Sequence, residues 1–401
     1  MMKVYAVAAK RTAIGSMLGS LKDVAPADYA AEVVKQLLKD TGLNGQDIDE
    51  VIVGNVLPAS LGQGVGRQVA LKAGIPETVP AYSLNMVCGS GMKSVMNAYT
   101  SILAGTADII IAGGTESMTR APVLIPSTVR SGHKMGNMTV VDHMIHDSLT
   151  DACSGAHMGI TAENIAEKYN ITREMQDDFA IASQQKAIRA VDSGVFDSEI
   201  VPITIKSKKG ETVFSRDEYP NRTTSREKLG TLRPAFKQGG TVTAGNASGI
   251  NDGASFVMLA SEAAVKKHNL KPLAEIIGVG QGGVDPQYMG LGPVPAIEKA
   301  LNNADIKLGD VEILELNEAF AAQSLGVVEL LCREHGVDRD ELLEKTNVNG
   351  GAIALGHPVG ASGNRILVTL IHEMINLDRK IGLASLCIGG GMGTAVVVKK
   401  A

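Results

Sequence analysis

The chain has 401 residues, of which 44% are hydrophobic and 20% charged, with a formal net charge of −5. This length allows two or three domains around a large buried core, and the mild acidity argues against nucleic acid as a partner. There is no Trp and aromatic residues make up only 3%, so the core must be Ala, Val, Ile, Leu and Met, which suits helices packed closely on a sheet.

The opening run MMKVYAVAAKRTAIGS has too short an apolar stretch for a signal peptide and reads as a first strand. A helical pattern over 26–40 follows, then a buried strand over 51–56. Residues 82–86 read as a strand, 91–104 as a helix and 108–113 as another buried strand. Residues 120–249 are richer in polar residues, His, Met and Arg. They hold a long helix candidate at 173–193 and a charged stretch at 206–233, and read as an insertion. Helices at 295–303 and 365–376 and strands at 311–316 and 381–386 complete the chain. Strand–helix alternation predicts an α/β fold with a mainly parallel sheet covered by helices. The longest apolar runs are too short to span a bilayer, so no membrane role is expected.

The two ends of the chain resemble each other. DEVIVGN at 49–55 parallels DVEILELN at 310–317. Asn55 then matches Asn317, and Cys88 matches His357 at nearly the same separation. Each is followed by a Gly/Ser-rich turn and a long helix. This predicts two copies of one unit.

The four cysteines, Cys88, Cys153, Cys332 and Cys387, fit no zinc-ligand spacing and no CxxC pattern. So few cysteines in so long a chain suit a reduced, cytoplasmic setting. Cys88 lies between a strand and the helix that follows, where the helix N-terminus favours a thiolate. Gly89 and Gly91 beside it let backbone N–H groups approach whatever bonds to the sulfur. His357 is held in the turn Gly356-His357-Pro358, and Pro358 keeps it out of the helical region. Cys387 ends a strand and precedes three glycines, a turn that offers N–H donors to a developing oxyanion. Asn317 stands at a strand-to-helix junction, suited either to an N-cap or to positioning a polar group. Two such cysteines with one histidine predict acyl-thioester chemistry with two separate proton-handling tasks.

These motifs resemble the thiolase family, and within it the biosynthetic acetoacetyl-CoA branch. The matching segments are 85–92, 113–120, 157–164, 232–236, 244–253, 317–323, 349–363 and 387–393, in the family's order over nearly the whole chain. The resemblance implies a duplicated fold. Two βαβαβαββ halves, 1–119 plus 250–272 and 273–401, would pack as a five-layer α-β-α-β-α sandwich. A loop domain, 120–249, would be inserted in the first half and serve coenzyme A (CoA) binding and oligomerisation. The implied reaction is reversible Claisen condensation of two acetyl-CoA to acetoacetyl-CoA and CoA through an acetylated Cys88. His357 would activate Cys88 and share one oxyanion site with a water held by Asn317. Cys387 would handle the α-proton. The N–H groups of Cys88 and Gly389 would form the second oxyanion site.

His157, Met158, Ala235, Phe236, Ala244, Ser248, Met289, Ala319 and Phe320 match positions along the CoA path. The family often has Arg where Asn221 stands, so Arg222 next to it is the candidate for that charge. Lys228 stands at a serine position near the adenine. CoA thioesters would be substrates, with no further cofactor or metal, and a homotetramer built from dimers is implied. Ketoacyl synthases share the fold but lack a second catalytic cysteine. A degradative thiolase of broader chain length is the nearer alternative. A redox pair between Cys88 and Cys387 is compatible with either.

Overall fold

The computed structural model describes residues 3–208 and 210–401. Strand β1 (Val4–Thr12) leads into helix α1 (Pro26–Thr41), bounded by Pro26 in its first turn and by Gly42 in the left-handed conformation after its end. Strand β2 (Glu50–Gly54), helix α2 (Val65–Lys72), strand β3 (Ala81–Leu84), helix α3 (Ser90–Leu103) and strand β4 (Ile109–Ser117) follow. The polar region contributes helices α4 (Met158–Lys168) and α5 (Arg173–Ser193) before strand β5 (Asn251–Ser261). Then come β6 (Ala274–Gly283), α6 (Pro293–Ala304), β7 (Ile313–Leu316), α7 (Ala321–His335) and α8 (Arg339–Glu344). Helix α9 (Val359–Asn376) and strands β8 (Ile381–Ile388) and β9 (Met392–Lys400) end the chain.

The main sheet has the order β7–β8–β9–β6–β1–β5–β4–β2–β3. β2 runs parallel to β3 and β4, as β7 does to β8. β5 lies antiparallel between β4 and β1, as β9 does between β8 and β6. Five of the eight neighbour pairs are antiparallel, which corrects the expectation of a mainly parallel sheet, and one strand arrangement occurs twice. The copies join where Tyr5 and Ala6 pair with Glu275 and Ala274. The duplication read from 49–55 and 310–317 is borne out: these segments carry the equivalent strands β2 and β7, and Asn55 and Asn317 each follow directly.

Side-chain alternation along β2 sets the layering. Val51 and Val53 enter one apolar core with α1 and α2, and Ile52 enters a second. That second core takes Met92 and Val95 of α3, Ile366 and Leu370 of α9, and residues from both copies of the strand set. A third core packs α6 and α7 against Leu314, Leu383 and Val397. Helices α3 and α9 are thus the buried middle of five α-β-α-β-α layers.

Helix α9 begins six residues before the start of the predicted 365–376 segment. Gly360 and Gly363 weaken it as an isolated helix, but they are where it crosses α3. A Cβ on Gly363 would sit 2.7 Å from Met92 N, and one on Gly91 would sit 2.9 Å from Gly360 O. Close helix packing outweighs local propensity there. The predicted long helix 173–193 has the same bounds in α5, which packs against α7 and the short helix Ala352–Leu355.

Candidate active site

The crossing of α3 and α9 brings their N-terminal ends together, and with them Cys88 and His357. The turn from β3 to α3 holds Val87 at φ 47°, an unfavourable conformation for a β-branched residue. Ser90 fixes that turn. Its hydroxyl donates to Val87 O at 2.7 Å and accepts Met86 N–H at 2.8 Å. The backbone distortion is therefore spent on aiming the next residue, Cys88.

The sulfur of Cys88 is within reach of the Gly389 N–H and its own N–H. Burial has the largest effect and pushes the thiol up to about 11, against the pull of those two donors. This corrects the expectation of a thiolate. Desolvation outweighs the helix N-terminus, so Cys88 rests as a thiol and needs a base when it attacks.

His357 can be that base. It is buried, and burial lowers it to about 4, with repulsion from Arg365 adding to the effect. It is therefore neutral at pH 7. Asn251 Oδ1 accepts its backbone N–H at 2.9 Å. Ser362 donates its hydroxyl to Pro358 O at 2.8 Å, so its oxygen accepts from His357 Nδ1 at 2.6 Å. This network puts the proton on Nδ1 and leaves the Nε2 lone pair facing the site. Asn317 Nδ2 approaches Nε2 at 3.5 Å.

Asn317 is not a helix cap, because α7 starts at Ala321. Its N–H donates to Ser385 O at 3.0 Å, prolonging the β7–β8 ladder to the level of Leu386, one residue before Cys387. Its Oδ1 is buried without a hydrogen-bond partner among the described residues. Cys387 is buried at the end of β8, and burial raises its thiol, with nearby Cys88 adding to the rise. The following turn has Gly390 and Gly391 at φ 85° and 84°. A Cβ on Gly89 would lie 2.3 Å from Ile388 Cδ1, so glycine lets the two cysteine turns approach this closely without moving the Ile388 side chain.

Two buried carboxylates hold the frame and were missed in the sequence. Glu116 Oε2 accepts the N–H groups of Val56 and Gly360 at 2.9 and 3.0 Å. Its Oε1 accepts Asn55 Nδ2 and Leu57 N–H at 2.9 and 3.2 Å. Burial pushes this carboxyl up while the backbone donors oppose it. The donors occupy both oxygens and leave no acceptor for a carboxyl proton, so the ionised form is the one that fits. Glu318, next to Asn317, accepts Ser183 Oγ at 2.6 Å, Asn347 Nδ2 at 2.8 Å and Ile353 N–H at 3.2 Å. It ties the Asn317 turn to the segment leading to His357. The only sequence signal for Glu116 is an acid in an otherwise apolar buried strand.

Most of the CoA-path candidates converge beside Cys387. Met158, Met289, Ala319, Phe320 and Cys387 share one apolar core, with Phe236 packed against it. His157 stacks on Phe236 at 4.7 Å, and Phe236 meets Phe320 edge-on at 6.1 Å. Ser248 N–H donates to Ala319 O at 2.9 Å, and Ala235 N–H to Val242 O at 2.9 Å. Ala244 lines an adjoining cavity of about 600 Å³ with Tyr219, Asn221, Lys228 and Ile353. Arg222 is not among the residues lining it. Its guanidinium is tied in a two-point pair to Asp192 at 2.6 and 2.8 Å on the surface. The cation lining the cavity is Lys228. Among the described residues, no group of three or more His, Cys, Asp or Glu could hold a metal ion. None of their helices is long and apolar enough to cross a membrane.

The model of the thiolase N-terminal domain matches residues 4–263, and that of the C-terminal domain matches 270–400. The chain belongs to the thiolase family. A probable acetyl-CoA acyltransferase of Staphylococcus aureus strain COL is 54% identical, with 100% of both chains covered. An acetyl-CoA acetyltransferase structure from Syntrophomonas wolfei is 44% identical with a TM-score of 0.97, again covering 100% of both chains. The human mitochondrial 3-ketoacyl-CoA thiolase is 44% identical with a TM-score of 0.94, covering 100% of this thiolase and 99% of its own chain. The expected thiolase fold is therefore borne out along the full length.

Proposed function

We propose that this thiolase is an acetyl-CoA C-acetyltransferase that condenses two acetyl-CoA to acetoacetyl-CoA and CoA, reversibly and by a ping-pong route. The observation that carries this reading is one neutral histidine and two resting thiols at one helix crossing, beside the Gly389 N–H. In the first half-reaction His357 Nε2 takes the proton of Cys88 as its sulfur attacks the thioester carbonyl. The oxyanion is met by donors on the His357–Asn317 side. Cys387 gives its proton to the departing CoA sulfur, which leaves acetyl-Cys88, a Cys387 thiolate and a protonated His357.

In the second half-reaction the Cys387 thiolate removes the α-proton of a second acetyl-CoA. A thiol raised by burial is the stronger base once ionised, which suits a weakly acidic carbon. The carbanion attacks the acetyl carbonyl, with the oxyanion at the N–H groups of Cys88 and Gly389. The Cys88 sulfur departs and recovers its proton from His357, so the cycle closes. CoA thioesters are the only reactants, and the chemistry calls for no cofactor.

The cavity lined by Tyr219, Lys228 and Ala244 suits the nucleotide end of CoA, and residues 120–249 act as the CoA-binding and assembly domain between the halves 1–119 plus 250–272 and 273–401. Met158 and Met289, packed with Phe236 and Phe320, favour a short acyl group over the broader-chain degradative alternative. The region around 129–147 exposes Met135 at 93%, Val140 at 55% and Met138 at 48%. Such an apolar surface supports a homotetramer. Light scattering at micromolar concentration tests the assembly, and a stable monomer refutes it. Peptide mass spectrometry after mixing with acetyl-CoA tests the chemistry. An acetyl mass on Cys88 is expected, and acetylation confined to another cysteine refutes the assignment.

A further inference from the structure

A second cavity, of about 330 Å³, lies between α5, α7 and α8 on the far side of Glu318. Phe179, Leu325 and Leu343 form apolar walls, and Lys186 and Arg339 supply two cations. Lys186 is half-buried, and among the described residues its ammonium donates only to Thr346 O at 3.1 Å, with the Glu318 carboxylate as its main charged neighbour. Neither Lys186 nor Arg339 has a carboxylate within ion-pair distance among the described residues. The nearby acids are already engaged: Asp178 pairs with Arg226, and Glu318 is held by Ser183, Asn347 and Ile353. Two unpaired cations at the edge of an apolar hollow make a receptor for an amphiphilic anion.

We propose that this cavity binds a small organic monocarboxylate, with its apolar body on Phe179, Leu325 and Leu343 and its carboxylate on Lys186 and Arg339. Helix α5 and the Glu318 contacts also couple it to the CoA cavity. Ser183 lines one cavity and its neighbour Gln184 the other. Ile353 lines the CoA cavity while its N–H is held by Glu318, which lines the new one. A bound negative charge beside Glu318 disfavours its ionised form. A protonated Glu318 accepts its three donors less strongly, and a weaker hold on the Ile353 N–H loosens the CoA wall. Occupancy therefore weakens CoA binding, and CoA weakens the carboxylate by the same factor. This coupling rests on the CoA reading above, whereas the binding itself does not.

Titration calorimetry with hexanoate, and with hexanamide as the uncharged control, tests the site. One hexanoate per chain is expected, with hexanamide weaker by about tenfold or more. Lys186→Met and Arg339→Met should each weaken hexanoate by about tenfold or more, and Arg339→Lys should restore most of the affinity. Protein saturated with CoA should still bind hexanoate, several-fold more weakly. Absence of binding, affinity unchanged in both Met variants, or complete exclusion by CoA overturns the site. Acetoacetyl-CoA turnover in the same variants, which should persist, reports separately on the catalytic reading.

Discussion

Glu116 Oε2 accepts the backbone N–H of Gly360 at 3.0 Å, joining two residues 244 apart in sequence. The same oxygen accepts Val56 N–H, so one carboxylate fastens the end of β2 to the first turn of α9. His357 sits three residues before Gly360. The orientation of the base therefore depends on an acid that touches no substrate.

Glu116→Gln tests this. The amide NH2 must face two N–H groups whichever way it is turned, leaving them unsatisfied in a buried site. The expected loss is about 2–5 kcal/mol of stability, measured by chemical denaturation. Single-turnover acetylation of Cys88 should slow as well, with its pH profile displaced because His357 is no longer held. A variant of normal stability and normal acetylation rate would show that the clamp does not position the base.

The CoA cavity yields a contrast between two neighbouring cations. Lys228 lines it, whereas Arg222 is paired with Asp192 outside. Lys228→Met should raise KM for acetyl-CoA by about tenfold with kcat unchanged, since the charge-assisted phosphate contact proposed for it would be lost from ground and transition states alike. Arg222→Met should change KM less than twofold. Steady-state kinetics with the effects reversed would return the phosphate contact to Arg222.

The pH dependence follows from His357. Its ordinary value is 6.5 and burial lowers it to about 4. Between these values the unfolded chain binds the proton and the folded one does not. Its contribution is therefore whole above pH 6.5 and falls away as pH drops toward 4. The 2.5-unit difference corresponds to about 3 kcal/mol below pH 4. Wild type should lose stability relative to His357→Gln across that window. Acetylation of Cys88 should hold from pH 7 to about 5 for the same reason. An acid limb centred near 6.5 would mean that the imidazole is solvated and ordinary.

How much of this was legible depended on distance along the chain. Cys88, His357 and Cys387 stand out because glycines flank them, and each glycine serves a close approach that its own neighbours announce. The paired segments 49–55 and 310–317 disclosed the duplication because strand alternation is local. Glu116 and Glu318 were silent, since their partners lie 29 to 244 residues away. The start of α9 was misjudged because Gly360 and Gly363 read as a loop until α3 is laid across them. The resting state of Cys88 was misjudged for a related reason. A helix N-terminus is visible in sequence, whereas desolvation by burial in the folded chain is not.

The division of labour between Cys387 and His357 is the most direct test of the mechanism. Cys387→Ala removes the group proposed to take the α-proton but leaves the Cys88–His357 pair intact. It should retain partial acetyl transfer from acetyl-CoA to Cys88, slowed by loss of the proton donor to the departing CoA. It should abolish α-proton exchange and acetoacetyl-CoA formation. His357→Ala leaves Cys88 as a thiol raised to about 11 with no base, so acetyl transfer itself should fall by about a hundredfold to ten-thousandfold. Cys88→Ser should fall by several orders of magnitude in both steps. Single-turnover acetylation measured beside acetoacetyl-CoA formation separates these outcomes. Equal loss of both steps in the Cys387 and His357 variants would mean that the residues act as one unit, and the two-task mechanism would fail.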